Sequence, residues 1–225
     1  MQVPDSLRGL KELLQECEAR VLAFDIDDTI ARSGPGFMRG LLGAFGNPEN
    51  LTAEAMWAKY GRNPVPYWDM EAVERWCTER LDSPELHEGF SMVEGASEAL
   101  QKIETHIPIG LFLTIRSESL RTVTRDWLRR YEFPVAPLEM LPIGIVHNDG
   151  LAFMAMVLEY LYPEVVGIVD DRKELLSALS PAYEGLVFLY GHSDTADTRA
   201  GVICCPAWDD VLFRVREIFT EPSRC

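Results

Sequence analysis

The segment Val21–Ile30 is the strongest constraint on the fold of this chain. It reads VLAF followed by DIDDTI, so an apolar run ends abruptly in three carboxylates. Such a run is typical of a buried strand in a parallel sheet, and the sites of these sheets lie outside the carboxyl ends of their strands. Because successive strand residues point to opposite faces, we expect a turn after Asp25 that brings Asp25 and Asp27 into one site.

Carboxylates this close together repel one another unless a cation neutralises them or one of them holds a proton. Ligation by oxygen atoms alone suits a hard divalent ion, Mg2+ ahead of Ca2+. The segment therefore favours a magnesium site, and the alternative is an ordinary acidic turn after a strand.

The composition and the charge limit the partners of the chain. Its 225 residues, 47% of them hydrophobic, are enough for one α/β domain with a modest insertion. The net charge of -15 argues against binding to nucleic-acid polymers or to anionic membranes. An anionic substrate would therefore need a local cationic site.

The start of the chain and the cysteines indicate the compartment. No basic stretch leads into a long apolar segment, so neither a signal peptide nor a membrane span is predicted. The five cysteines are odd in number and have no metal-ligand spacing: Cys17, Cys77, Cys204, Cys205 and Cys225. Reduced thiols in the cytosol fit this pattern, and a zinc site is not expected.

Predicted helices and strands alternate over most of the chain. Helical periodicity marks residues 5–19, 95–103, 119–131, 151–161, 173–179 and 207–219. Apolar or β-branched runs mark strands at 21–24, 107–114, 143–146, 165–169, 186–190 and 202–205. The alternation predicts an α/β fold, a Rossmann-like doubly wound parallel sheet with helices on both faces.

Residues 33–89 interrupt this alternation and read as a small helical insertion. A break at 33–36 precedes helices at 37–45, 52–60 and 69–81, with Thr52 and Asp69 as N-caps. The predicted domains are therefore a core of residues 1–32 and 90–225 and a helical cap of residues 33–89. The cap is rich in aromatic residues, which form either a lid that stacks on substrate or, as we favour, the cap's own small core: Trp57, Tyr60, Tyr67, Trp68 and Trp76.

Polar side chains follow three of the predicted strands. They are Asp25 and Asp27, then Thr114, then the pair Asp170 and Asp171. Because the carboxyl ends of parallel strands meet at one edge of the sheet, we expect one site. A carboxylate there can attack phosphorus, a second can act as general acid and base, a cation can offset charge, and a hydroxyl can bind a phosphoryl oxygen.

These residues resemble, one by one, the motifs of the haloacid dehalogenase-like (HAD) phosphohydrolases. Asp25-x-Asp27-x-Thr29 resembles the first motif, Thr114 the second, and Asp170-Asp171 after an apolar strand the fourth. The resemblance covers about residues 18–205 and includes a helical cap where the insertion lies.

The resemblance implies a mechanism and a role for each residue. Asp25 would be the nucleophile that forms an aspartyl phosphate, and Asp27 the general acid and base. Thr114, with Ile115 and Arg116 beside it, would bind the phosphate. Mg2+ would be held by Asp25, Asp27 through its main-chain carbonyl, Asp170, and Asp171 at or beside the ion. The substrate would be a small phosphate monoester.

Two features depart from the family pattern. Asp28 stands where glycine is more usual. The third motif supplies a lysine near the start of the helix before the fourth motif, and residues 147–154 contain neither lysine nor arginine. A cation there would stabilise charge in a partly dry site. The candidates to replace it are Arg116, which is equally well read as a surface ion pair, then Lys173, His147, and Lys59 or Arg62 of the cap.

The sequence thus predicts a cytosolic, Mg2+-dependent phosphatase acting on a small phosphate monoester. Two alternatives stay open. One is a HAD-like domain that binds a phosphorylated ligand or a protein without turnover, as the missing lysine suggests. The other is removal of halogen from a haloacid on the same fold, which would need no metal.

Overall fold

A computed structural model describes residues 4–219, and its centre is a six-stranded sheet in which neighbouring strands are parallel. The strands are β1 (Val21–Phe24), β2 (Ile109–Ser117), β3 (Leu138–Leu141), β4 (Val165–Asp170), β5 (Leu186–Tyr190) and β6 (Val202–Cys205). Their order in the sheet is β3-β2-β1-β4-β5-β6. The chain winds outward in both directions from β1 and β4, which confirms the predicted Rossmann-like α/β fold and places the switch point between these two strands.

Ten α-helices accompany the sheet within residues 4–219. They are α1 (Asp5–Glu16), α2 (Ser33–Phe45), α3 (Ala53–Tyr60), α4 (Met70–Arg80), α5 (Pro84–Glu88), α6 (Ala96–Ile103), α7 (Arg121–Arg130), α8 (Gly150–Leu161), α9 (Glu174–Ala178) and α10 (Trp208–Phe219). Helices α1, α8 and α9 cover one face of the sheet, and α6, α7 and α10 cover the other.

Strand β1 shows why the apolar run at its position is uninterrupted. Leu22 and Phe24 belong to the hydrophobic cluster on one face of the sheet, and Val21 and Ala23 belong to the cluster on the other. Since a central parallel strand is buried on both faces, each of its four side chains must be apolar. The polar residues of the segment can therefore begin only where the strand ends.

Residues 33–89, which we call the cap segment, have a hydrophobic cluster of their own, formed by Met38, Leu41, Ala53, Met56, Val65 and Trp68. Trp57, Tyr60 and Trp76 pack against this cluster, and Tyr67 is 39% exposed. The Thr52 and Asp69 side chains cap α3 and α4 as predicted, accepting main-chain N–H groups at 3.2 and 3.1 Å. The separate cluster supports the domain boundaries, which stay a prediction.

Two local predictions were wrong. Residues 33–36 are the first turn of α2 and not a break, because proline is tolerated in the first turn of a helix. Gly34 leaves room there for the Trp57 ring, since a Cβ would lie 2.2 Å from it. The strand predicted at 143–146 lies earlier, at β3, and Ile143 and Val146 are 75% and 62% exposed.

Within residues 4–219 there is no helix whose length and apolar character would allow it to cross a membrane. The four cysteines of this part of the chain, at positions 17, 77, 204 and 205, are free thiols. Cys225 lies outside the described residues.

Candidate active site

The carboxyl-terminal parts of β1, β2 and β4 bring the predicted side chains together, although β2 continues to Ser117 and does not end at Thr114 as predicted. β1 ends at Phe24, and the main-chain N–H of Asp25 still donates to the carbonyl of Val169 in β4 at 2.9 Å. The Thr29 hydroxyl donates to Asp25 Oδ2 at 3.0 Å and accepts the main-chain N–H of Asp171 at 3.1 Å. Two strand tips are thus joined by hydrogen bonds through one threonine.

The turn expected after Asp25 is present, and it explains the unusual Asp28. Asp28 has φ 62°, in the left-handed region that favours glycine and that aspartate tolerates better than most residues. Its Oδ1 accepts the main-chain N–H of Gly34 at 2.7 Å, in the first turn of α2. The aspartate therefore keeps the backbone geometry of the turn and adds a bond to the start of the cap segment.

Asp25 lies in a strongly acidic environment. It is 4% exposed, and burial together with Asp170, Asp171 and Asp27 raises its pKa well above the ordinary value. Burial also raises the pKa of Asp170 to about 6, and burial and Asp170 raise that of Asp171 well above the ordinary value. These carboxyl groups cannot all ionise at neutral pH unless a cation joins them.

The donors of this site fit a magnesium ion. Asp170 Oδ2 and Asp171 Oδ1 are buried and have no hydrogen-bond partner within residues 4–219. Carboxylate oxygens are the ligands that Mg2+ prefers. No three His, Cys, Asp or Glu side chains of the described part of the chain converge on one point. The ligand set that the resemblance implies needs only two such side chains, of Asp25 and Asp170, together with the main-chain carbonyl of Asp27.

Asp27 is held by Arg116 in a two-pronged ion pair. Arg116 Nε and Nη2 donate to the two oxygens of Asp27 at 2.8 Å each, and Nη1 donates to the Thr124 hydroxyl at 3.4 Å. The Arg116 side chain is 1% exposed and that of Asp27 is 23% exposed, so the surface ion pair considered for Arg116 was wrong. Burial opposes ionisation of Asp27, but Arg116 outweighs it and lowers the pKa of Asp27.

The phosphate-binding residues predicted on β2 lie beside this pair. The Thr114 hydroxyl donates to Asp27 Oδ2 at 3.4 Å and accepts the main-chain N–H of Arg116 at 3.2 Å. Ile115 lines the cavity described below and packs against Gly150 at the start of α8, where a Cβ would lie 2.7 Å from Ile115 Cγ2. The strand tip therefore contacts the helix whose first residues lack the third-motif lysine.

The side chains considered as replacements for the third-motif lysine lie in different environments, and only some of them face the cavity. Lys59 pairs with the carboxylate of Glu49, and Lys173 Nζ lies 3.6 Å from Asp194 Oδ1. His147 lines the cavity, and burial together with Arg172 lowers the pKa of its ring, so it is neutral at pH 7. Arg62 Nη2 lies 3.9 Å from Asp28 Oδ2, which brings a cap cation to the edge of the acidic cluster.

Sequence reasoning missed Arg172. It follows the acidic pair directly, its main-chain N–H donates to Asp170 Oδ1 at 2.7 Å, and its guanidinium lowers the pKa of Asp170 and Asp171 from the values that burial alone would give. Its Nε is buried and has no hydrogen-bond partner among the described residues. Its position two residues past the end of β4 was the signal that could have found it.

A cavity of about 420 Å³ lies between the strand tips and the cap segment. Asp25, Asp27 and three arginines line it, at positions 62, 116 and 172. A second cavity of about 500 Å³ adjoins it and shares Asp28, Arg62 and Arg172, and Asp171, Lys173, Glu174 and His192 are among its other polar residues. The acidic chain thus has a local group of cations where an anionic substrate would need one.

Comparisons with known proteins show which solved structures share this fold. No family model and no curated protein sequence matches the chain. Solved structures do match: a HAD-superfamily hydrolase of subfamily IA from Geobacter sulfurreducens has 19% identity and a TM-score of 0.52, with 88% of this chain and 96% of that one covered. The fold is HAD-like.

Two other structures with the HAD-like fold are similarly distant. A haloacid dehalogenase-like family hydrolase from Streptococcus pneumoniae has 12% identity and a TM-score of 0.55, covering 88% of this chain and 99% of its own. A Clostridium difficile protein provisionally designated a phosphatase has 16% identity and a TM-score of 0.53, covering 86% and 98%. Identities this low establish the HAD-like fold and leave the chemistry to be argued from the site.

Proposed function

We propose that the protein is a Mg2+-dependent phosphatase that hydrolyses a small phosphate monoester through an aspartyl phosphate on Asp25. The observation that carries the proposal is the buried Asp25 carboxyl at the tip of β1. It lies near two buried carboxylate oxygens that have no partner within residues 4–219, and it lines the same cavity as Arg62, Arg116 and Arg172. The carboxylates of this cluster can bind a divalent cation, and the arginines beside them can bind an anionic substrate.

The reaction divides into two displacements at phosphorus. An oxygen of Asp25 forms a bond to phosphorus as the ester P–O bond breaks, and Asp27, protonated from solvent beforehand, gives its proton to the leaving alcohol oxygen. Water then attacks the phosphorus of the acyl phosphate and gives up a proton, which releases inorganic phosphate and restores Asp25. Asp27 is the general acid and base of the proposal, and as it stands, with both oxygens accepting from Arg116, it is suited to accept the proton of water.

The substrate phosphate would be held by the cations that face the cavity. Arg172 has a buried donor, Nε, that has no partner in the described part of the chain, and Arg62 approaches from the cap segment. Ile115 and Arg116 would form the β2 side of the phosphate site, where Arg116 fixes Asp27, and Thr114, which is 0% exposed, would support it from behind through its bonds to Asp27 and Arg116. Asp25, Asp170 and the main-chain carbonyl of Asp27 would hold Mg2+, with Asp171 beside it, and the ion would offset repulsion between Asp25 and the phosphate. The cytosol stays the predicted compartment.

The second candidate function is a HAD-like domain that binds a phosphorylated ligand without turnover. The specific observation in its favour is that Arg116 donates to both Asp27 oxygens and lowers the pKa of Asp27, so that this carboxyl group is ionised and has no proton to give to the leaving group. The two candidates differ in whether phosphate is released.

The experiment is phosphate release from an aryl phosphate and from a panel of sugar and nucleotide monophosphates, with Mg2+ and with excess chelator. The proposal expects release that requires both Mg2+ and Asp25, so that Asp25→Asn is inactive. Asp5→Asn is the matched control, because that side chain is 94% exposed and lines neither cavity, and it is expected to be fully active. Binding of inorganic phosphate without release from any ester would favour the second candidate, and release by Asp25→Asn would refute the mechanism.

A further inference from the structure

Hydrocarbon side chains form most of the wall of the 420 Å³ cavity beyond its charged end. Its apolar walls include Met38, Leu41, Val65 and Trp68 of the cap segment and Ile115 and Met154 of the core. The four cap residues are nearly inaccessible, between 3% and 8% exposed. The volume is within the usual range for the site of a small molecule.

Apart from His87, the polar side chains of this cavity belong to its charged end, where Ser33, Asn63, Ser117 and His147 adjoin the charged residues, and several of these groups already have partners. The Asp27 and Arg116 side chains satisfy each other, and Asp28 accepts from Gly34. The Trp68 indole N–H donates to the carbonyl of Gly46 at 3.2 Å. Polar groups that are still free to bind a ligand lie mostly at the charged end. A ligand hydroxyl placed among the hydrocarbon walls would therefore find almost no hydrogen-bond partner.

His87 is the exception inside the apolar part. Its Nε2 lies 2.8 Å from the carbonyl of Leu81, and since a carbonyl only accepts, Nε2 carries the proton. Its Nδ1 is buried and has no hydrogen-bond partner within the described residues. The apolar part therefore offers one acceptor, which suits a ligand with a single hydroxyl or N–H and does not suit a sugar with several.

The two cavities meet at two arginines. Arg62 and Arg172 line both the apolar cavity and the adjoining, more polar one, whose other walls include Asp171, Lys173, Glu174 and His192. A phosphate held at these arginines leaves the rest of the substrate to enter one of two spaces. Water fills the polar space at little cost, whereas filling the apolar space with hydrocarbon is favourable.

We infer that the substrate is a phosphate monoester whose alcohol part is a small hydrocarbon or aromatic body, not a sugar or a nucleoside. The inference rests on the proposed function for the position of the phosphate and goes beyond it in naming the class of leaving group. Each methylene that enters the cavity should strengthen binding about fourfold, and each hydroxyl left without a partner should weaken it about tenfold.

The first test is equilibrium binding of alkyl phosphonates from methyl to octyl, which cannot be hydrolysed, measured by calorimetry with Mg2+ present. The inference expects the dissociation constant to fall about fourfold per methylene over the first members and then to level off as the cavity fills. A dissociation constant that does not change with chain length, or a sugar phosphonate that binds more tightly than hexyl phosphonate, would overturn it.

The second test places a hydroxyl in the apolar wall. Val65→Thr keeps the shape of the side chain, and it should weaken binding of hexyl phosphonate about tenfold while methyl phosphonate is nearly unaffected. Val135→Thr is the matched control at a position that is 101% exposed, and it should leave both dissociation constants unchanged. Equal effects of the two substitutions would contradict the inference.

Turnover separates this inference from the proposed function. Hydrolysis of phenyl and hexyl phosphate well ahead of sugar phosphates supports both. Hydrolysis that favours sugar phosphates leaves the phosphatase standing and overturns the inference. Tight binding of hexyl phosphonate with no hydrolysis of any ester supports the apolar site and refutes the phosphatase.

Discussion

Removal of Arg116 should destabilise the fold measurably, because it leaves the Asp27 carboxylate without its partner. Both bonds of the pair are 2.8 Å long, and the arginine side chain is 1% exposed. Breaking a fully buried pair costs about 3–5 kcal/mol, and because Asp27 is 23% exposed, water can replace part of the loss. We therefore expect Arg116→Met to lower the free energy of unfolding by about 2–3 kcal/mol, or the melting temperature by roughly 5–10 °C.

The assay is urea unfolding followed by tryptophan fluorescence, with chelator present so that no metal contributes. Arg129→Met is the matched control, because Arg129 forms an exposed pair with Asp126, with side chains 78% and 55% exposed, and it should change stability by less than about 1 kcal/mol. A double-mutant cycle of Arg116→Met with Asp27→Asn should give a coupling of about 1.5–3 kcal/mol. A coupling below about 0.5 kcal/mol would refute the reasoning.

The pH dependence of the stability difference between wild type and Arg116→Met tests whether the Asp27–Arg116 pair acts through the charge of Asp27. Arg116 lowers the pKa of Asp27 in the folded state, so the stabilisation is fully present above the pKa of an unfolded aspartate, about 3.9. It is lost as the pH falls through the lowered pKa of the folded protein. The stability difference between wild type and Arg116→Met should therefore be constant near neutrality and disappear in strong acid, and a difference that grows in acid would contradict it.

Three further predictions concern the site and the cap segment. Arg172→Gln should reduce kcat/KM for the best phosphate ester at least tenfold, with Arg172→Lys recovering part of the loss, because a cation at the tip of β4 stabilises the phosphoryl charge; equal loss in both variants would point to geometry instead of charge. Gly34→Ala should destabilise the protein by about 1–3 kcal/mol, because its Cβ would lie 2.2 Å from the Trp57 ring, whereas Gly43→Ala, with nothing within 4 Å, should be neutral or stabilising by up to about 1 kcal/mol in a thermal melt. Mg2+ should raise the melting temperature of wild type and not of Asp170→Asn, and an equal rise in both would remove Asp170 from the ligand set.

The fold was largely predictable because its signals are local and strong. The strand at Val21 is apolar throughout and buried on both faces, and the run at 186–190 has the predicted bounds for the same reason. The predictions at 33–36 and 143–146 failed where local propensity was ambiguous. Gly-Pro-Gly begins a helix that aromatic rings pack against, and the β-branched residues near 145 belong to an exposed loop.

The site was predictable only where polar residues follow a strand that the sequence predicts. These residues are Asp25, Thr114 and Asp170, which the fold brings to one edge of the sheet. The partner of Arg116 could not be read, because Asp27 lies 89 positions away in the sequence and only the pairing of β1 with β2 brings the two together. Arg172 was missed because the cation was expected at residues 147–154. The apolar cavity could not be predicted, because it depends on how the cap segment packs against the core.

Detection of a phosphoryl group on Asp25 tests the central claim most directly. Wild type, mixed rapidly with Mg2+ and the ester it hydrolyses best, would be quenched in acid, reduced with borohydride to trap the acyl phosphate, and mapped by peptide mass spectrometry. The account predicts modification at Asp25 alone, and none in Asp25→Asn. Phosphate released with no modification at Asp25, or with modification at another carboxylate, would contradict it.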